Sequence, residues 1–251
     1  MWPRILTLCL VVVTTPVWAD FSSSLTTGID FSRGKYGGTT STDILYIPVT
    51  AKFQSDDLFF KLTLPYISVT GAGGGVVRGM GPFKITTGTK VTTQSGLGDV
   101  IASAGYTVVD TYSFILDLVG NIKFGTADAS RSLGTGENDY SAQLDGFYIT
   151  GNTTLFATTG YKIIGAPAGV VVNNIAYGTL GFSQQTKDSS SVGVALDAAQ
   201  SSSTLNSGTR ELSVFISNKV DKNTKIKVSF LKGFSDASPD YGASLMFTGT
   251  Y

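Results

Sequence analysis

The chain contains no histidine, and its single cysteine, Cys9, lies in an apolar N-terminal stretch. Without histidine there is no Ser-His or Cys-His pair to activate a nucleophile, and no imidazole to hold a metal. Charge is scarce as well. Only 14% of residues are Asp, Glu, Lys or Arg, against about 25% in an average soluble domain. The two signs cancel, with 18 basic and 18 acidic side chains, and no basic run marks a nucleic-acid surface. No stretch of ~20 consecutive apolar residues follows the first twenty, which excludes a transmembrane helix.

What is present begins with a targeting segment over residues 1–19. Arg4 supplies the positive n-region, Ile5 to Val13 the apolar core, and Val17-Trp18-Ala19 a small-residue cleavage site before Asp20. The apolar run is too short to span a bilayer. Cys9 leaves with the segment, no acylation box stands at the cleavage point, and the mature chain 20–251 is free of thiol chemistry. A secreted, cysteine-free chain suits passage through an oxidising periplasm.

The mature chain alternates in steps of two. In the last segment Tyr241, Ala243, Leu245, Phe247 and Tyr251 share one parity, and in the preceding hairpin Leu212, Val214 and Ile216 oppose Glu211, Ser213 and Ser217. Period-2 alternation of this extent behind a secretory signal predicts an all-β fold, a transmembrane antiparallel up-and-down β-barrel of about twelve strands in one domain. The strands are expected over 22–33, 42–54, 58–70, 98–109, 112–125, 138–150, 154–164, 173–185, 191–200, 209–218, 224–234 and 241–251. Most reach the ~9–11 residues that a tilted strand needs to cross a membrane. Tight Asp, Asn, Gly and Ser turns at 55–57, 110–111, 151–152, 186–190 and 219–223 alternate with longer links at 71–97, 126–137, 165–172, 201–208 and 235–240. Short turns on one side and long loops on the other match periplasmic and extracellular faces.

Parity then sorts inside from outside. Leu45, Ile47, Val49, Phe53, Phe60, Leu62, Leu64, Tyr66, Val100, Ala102, Tyr106, Val108, Tyr112, Phe114, Leu116, Leu118, Ile122, Tyr140, Leu144 and Tyr148 fall on the lipid side. The lumen side takes Asp30, Lys52, Lys61, Asp99, Asp117, Lys123, Asp139, Gln143, Asp145, Lys162, Asp197, Glu211, Lys225 and Lys227. An Arg or Lys on the lipid face at mid-depth costs about 2–4 kcal/mol, so this sorting is a strong constraint. Arg210 and Lys232 break the rule at the loop-side ends of adjacent strands. There they suit lipopolysaccharide phosphates, or else snorkel into water.

Other constellations reduce to local chemistry. Gly71-Ala72-Gly73-Gly74-Gly75 lacks the Gly-Lys-Ser/Thr of a phosphate cradle, and Gly96-Leu97-Gly98-Asp99 opens no βαβ unit. The Asp236, Ser238 and Asp240 group and the Asp56-Asp57 pair are too sparse for a calcium site and read as turns. No catalytic residue, metal or cofactor is therefore assigned, and no enzyme is expected.

Two stretches carry a resemblance. Ser95-Gly96-Leu97-Gly98-Asp99-Val100 and Lys232-Gly233-Phe234-Ser235-Asp236-Ala237-Ser238-Pro239-Asp240-Tyr241-Gly242 resemble the bacterial outer-membrane barrel family named for a MetA pathway of phenol degradation. The resemblance implies a transporter of small molecules, aromatic or hydrophobic compounds among them, in the outer membrane of a Gram-negative bacterium. Expected partners are outer-membrane lipid, lipopolysaccharide and the barrel-assembly machinery, which reads a terminal aromatic such as Tyr251. The rival expectation is a plugged structural or surface-interaction barrel without transport.

Overall fold

The computed structural model describes residues 21–72, 76–77, 81–82, 91–187, 189–203 and 207–251. The expected targeting segment and much of the glycine-rich stretch lie outside the described residues. The strands are β1 (Phe21–Gly34), β2 (Thr42–Ser55), β3 (Leu58–Ala72), β4 (Val76–Val77), β5 (Gly81–Pro82), β6 (Val91–Leu97), β7 (Val100–Asp110) and β8 (Phe114–Phe124). After one turn of 3-10 helix at Ala129–Arg131 come β9 (Asp139–Thr150), β10 (Thr153–Ile163), β11 (Ile175–Lys187), β12 (Ser190–Ala199), β13 (Thr209–Lys219), β14 (Thr224–Gly233) and β15 (Tyr241–Thr250).

Apart from the small β4–β5 ribbon, every strand joins one antiparallel sheet that closes on itself. β1 pairs with β2 on one side and with β15 on the other. Tyr251 finishes the seam, its N–H donating to the Ser23 carbonyl at 2.8 Å and its carbonyl accepting from the Ser23 N–H at 3.2 Å. β6 and β7 both pair with β3 and fill one position in the wall, giving a twelve-stranded barrel. Closure pairs both edges of the twelve-stranded wall, while β6 pairs with β3 alone. The short connections all fall at one end, which also holds both strand termini of the seam, and the long ones fall at the other. In the two-residue turn between β9 and β10, Gly151 adopts φ 56°, the left-handed conformation that matches the twist of a hairpin.

The break between β6 and β7 has a local cause. Thr63 pairs with Ile101 and Tyr66 with Leu97, so two residues of β3 oppose three of the facing chain, a bulge. Pro65 has no N–H to give the ladder, and its carbonyl accepts from Gly98 N–H at 2.8 Å. The extra residue turns Asp99 inward.

Two expectations need correction here. Residues 71–97 are not one loop: Gly71 and Ala72 still belong to β3, and Val91–Leu97 is strand β6. Threonine obscured it, since Thr92 and Thr93 give no apolar alternation, while Thr70 and Thr93 hydroxyls meet across the strands at 2.9 Å. Tyr112 is not in a strand but sits fully exposed in the turn before β8.

The outer surface is apolar. Leu180, Leu196, Ile216 and Phe230 expose more than half of their area, and Phe60, Leu62, Leu64 and Tyr66 continue the belt. An apolar patch running around a molecule fits a hydrocarbon solvent, not water. The buried hydrophobic residues lie instead inside the wall, where Ile44, Ile67 and Val69 meet Tyr36, Ala127 and Leu133.

Candidate functional site

Cross-strand partners share a face, so the register carries the inward side around the barrel. Lys52 pairs with Lys61, Lys61 with Ser103, Lys123 with Asp139, Asp117 with Asp145, Asp197 with Glu211, and Ser217 with Lys227. All fourteen residues expected to face the lumen lie on this inward parity, yet the structure divides them into two settings.

The first setting is sealed. Residues 126–138 fold back toward the barrel, with Leu133 only 2% exposed against Ile44, Ile67 and Val69. Lys123 Nζ lies 3.1 Å from Asp99 Oδ2 and 3.2 Å from Asp139 Oδ2, all three side chains being under a tenth exposed. The other carboxylate oxygens accept backbone N–H groups, Asp99 from Ala127 at 2.9 Å and Asp139 from Gly165 at 3.0 Å. Such amides offset the cost of burying two carboxylates beside one ammonium. These three residues therefore tie loops to wall and meet little solvent. Asp128 caps the 3-10 turn. The Ser130 hydroxyl above all, with the Arg131 and Ser130 N–H groups, holds its carboxyl below the usual carboxylate range.

The second setting is hollow. A cavity of about 440 Å³ is lined by β1 and β10–β15, with Asp30, Lys162, Tyr177, Asp197, Glu211 and Lys227 among its walls. Threonines on neighbouring strands hold the inward acids. Thr107 donates to Asp117 at 2.8 Å, Thr158 to Asp145 at 2.6 Å, and Thr179 to Asp197 at 2.6 Å. Gln143 donates to both Asp145 oxygens and accepts from Tyr177 OH at 2.8 Å. The lysines rest on rings. Lys52 and Lys61 lie 4.9 and 4.8 Å from the Phe59 centroid, Lys162 5.7 Å from Tyr177, and Lys227 4.3 Å from Phe215. Phe59 and Phe215 can lie flat because Gly105 and Gly193 stand beneath them, where any Cβ would collide with the ring. Lys225 occupies the same face at the turn end, opposite Lys219.

On the outside, Arg210 and Lys232 are both exposed at the loop end. Lys232 pairs with Leu212, whereas the Arg210 carbonyl accepts from Phe234 N–H, so the two cations sit diagonally. A second outward charged pair went unnoticed in the sequence. Arg33 and Asp43 also have lipid-side parity, and Arg33 Nε and Nη2 donate to the two Asp43 oxygens at 2.6 and 3.0 Å. Equal spacing from the 35–41 connection was the available signal. The lysine-on-ring contacts were also missed, since parity shows that Phe59, Tyr177 and Phe215 face inward but not what they touch.

An apolar exterior around a closed, charged and partly hollow twelve-stranded wall defines a transmembrane β-barrel of the outer-membrane type. Solved structures agree in fold. An outer membrane channel from Pseudomonas putida F1 superposes with a TM-score of 0.68 at 11% identity, over 95% of this chain and 97% of that one. The KdgM porin, solved in complex with disordered oligogalacturonate, gives 0.55 at 12% identity over 92% and 99%. The CymD monoaromatic hydrocarbon channel gives 0.51 at 10% identity over 92% and 88%. No protein-family description and no curated protein sequence matches the chain.

Proposed function

We propose that this protein is a passive channel of the outer membrane that lets small molecules cross by diffusion. The observation that carries the reading is the cavity along β1 and β10–β15, with Asp30, Lys162, Asp197, Glu211 and Lys227 in its lining, which a barrel serving only as a scaffold has no need to keep open. Interiors of eight-stranded barrels are filled by side chains and those of sixteen-stranded porins hold a channel, so twelve strands leave room for a narrow path. Structural likeness to channels and porins supports the same role. The resemblance to the phenol-pathway family and the likeness to CymD favour aromatic cargo. The charged side chains of the cavity wall favour polar cargo instead.

Residues 1–19 act in this reading as the signal peptide of a Gram-negative secreted protein. Arg210 and Lys232 contact lipopolysaccharide phosphates, and Tyr251 contributes to recognition by the assembly machinery. Single-channel recording in a planar bilayer tests the function: discrete, reproducible conductance steps are expected. A barrel that inserts and never conducts would support the rival reading of a plugged structural or surface-interaction barrel. That rival draws on the inward-folded residues 126–138 and the sealed Lys123 cluster.

A further inference from the structure

The inward charges are segregated along the barrel axis. Near the loop ends of their strands stand the acids Asp30, Asp99, Asp139, Asp197 and Glu211, with the bases Lys123 and Lys162. Near the turn ends stand the bases Lys52, Lys61, Lys219, Lys225 and Lys227, with the acids Asp117 and Asp145. Five against two at one end becomes two against five at the other. Setting the sealed Asp99–Lys123–Asp139 cluster aside still leaves three acids to one lysine toward the loops. The bulged strand ends contribute one residue of each sign, Asp110 and Lys187, at the turn side. Whole-chain neutrality and the balanced lumen both hide this arrangement, because strand direction reverses at every turn and mixes the two groups along the sequence.

Resting on the channel reading, we propose that the interior is an axial charge dipole, acidic toward the loops and basic toward the turns, that favours small zwitterions as cargo and rectifies ion current. A low-dielectric wall focuses such fields into the path. A simple cation is drawn into the acidic half and repelled by the basic half, and an anion meets the reverse. A zwitterion that keeps its ammonium toward Asp30, Asp197 and Glu211 and its carboxylate toward Lys227 satisfies both. These four residues line one cavity of about 440 Å³, room for a solute of a few heavy atoms with its water.

Rectification follows with a definite sign. When the loop side is positive, cations are driven in through the acidic half and anions through the basic half, so both accumulate and current is larger. Reversing the voltage draws them apart and depletes the path. The test is current against voltage for the full-length mature barrel at 0.1 M salt, with insertion orientation fixed by protease access to the exposed residues 168–171 of the loop end. About twofold larger current with the loop side positive is expected, fading at 1 M as the screening length drops from ~10 to ~3 Å. Asp30→Asn/Asp197→Asn/Glu211→Gln should abolish the asymmetry and shift the reversal potential toward anions. Lys225→Gln/Lys227→Gln should weaken it and shift toward cations, which guards against misfolding of the first variant. Liposomes containing the barrel should swell about twofold faster in 4-aminobutyrate than in an uncharged hydroxyamide of equal size. A conducting pore with a linear, orientation-independent curve overturns the dipole while leaving the channel standing, and equal swelling rates overturn the zwitterion preference. A barrel without conductance overturns the channel itself.

Discussion

From β2 round to β9 the loop end of the interior is packed like a small protein core, while from β10 round to β1 the same wall encloses a cavity. Both regions obey one alternation of inward and outward residues, and both place charges inward. The difference lies in what covers them. Residues 126–138 bring Leu133 and Ala127 onto Ile44, Ile67 and Val69, and the Ala127 amide and the Thr135 hydroxyl meet the Lys123 cluster. Asp197, Glu211 and Lys227 instead line the cavity. Strand periodicity thus decides which way a side chain points, and loops decide whether it meets protein or water.

The comparison breaks most easily at Lys123. Replacing it by Met leaves two buried carboxylates without the ammonium that sits between them, a loss of about 3–5 kcal/mol. Urea unfolding from lipid vesicles measures it, and the triple change Asp99→Asn/Lys123→Met/Asp139→Asn should recover much of the loss. Single-channel conductance of Lys123→Met should rise, because the packed region loses the tie to its loop. Wild-type unfolding and wild-type conductance together would show that charge does not hold this region shut.

A smaller loss probes the wall behind the cavity. Leu180 and Thr179 are neighbours in the middle of β11, one facing out at 63% exposure and the other donating inward to Asp197. Leu180→Arg should cost about 2–4 kcal/mol in the same titration, as a cation at mid-depth in the lipid. Thr179→Val should change stability little and alter conductance instead. Reversed effects would turn the assignment of faces inside out.

Packing of the loop itself is the next increment. Leu133→Ala removes the residue that seals the core cluster, and about 2 kcal/mol is expected. That is the low end of the Leu-to-Ala range, because a loop can settle into the space. Its conductance should increase without any change of charge, which separates packing from electrostatics in the filled region.

Most of the barrel was legible in the sequence because transmembrane strands must sort their residues by solvent. Leu212, Val214 and Ile216 against Glu211 and Ser213 admit one reading in a bilayer, and β13 lies where that pattern stands. β6 was illegible for the opposite reason. Its Val91-Thr92-Thr93-Gln94-Ser95 run is held by pairing with the loop end of β3 and shows no apolar stripe. Asp99, Lys123 and Asp139 were legible as inward and illegible as a cluster, since their meeting depends on a bulge opposite Pro65 and on a loop that returns over them. Axial segregation of charge likewise appears only once strand ends are aligned by register.

The smallest expected effect sharpens the contrast between buried and exposed ion pairs. Arg33 and Asp43 form a two-bond pair on the outer face, with side chains 45% and 30% exposed, whereas those of the Lys123 cluster are 7% exposed or less. Geometry is good in both places, so solvent makes the difference. Water and salt screen the outer pair, and the coupling between Arg33→Gln and Asp43→Asn in a double-mutant cycle should be small and shrink further at high salt. The corresponding cycle between Lys123 and Asp139 should be several times larger and insensitive to salt. Equal couplings at the two sites would mean that the packed region admits as much water as the outer rim, and the division of the interior into a sealed and a hollow side would fail with it.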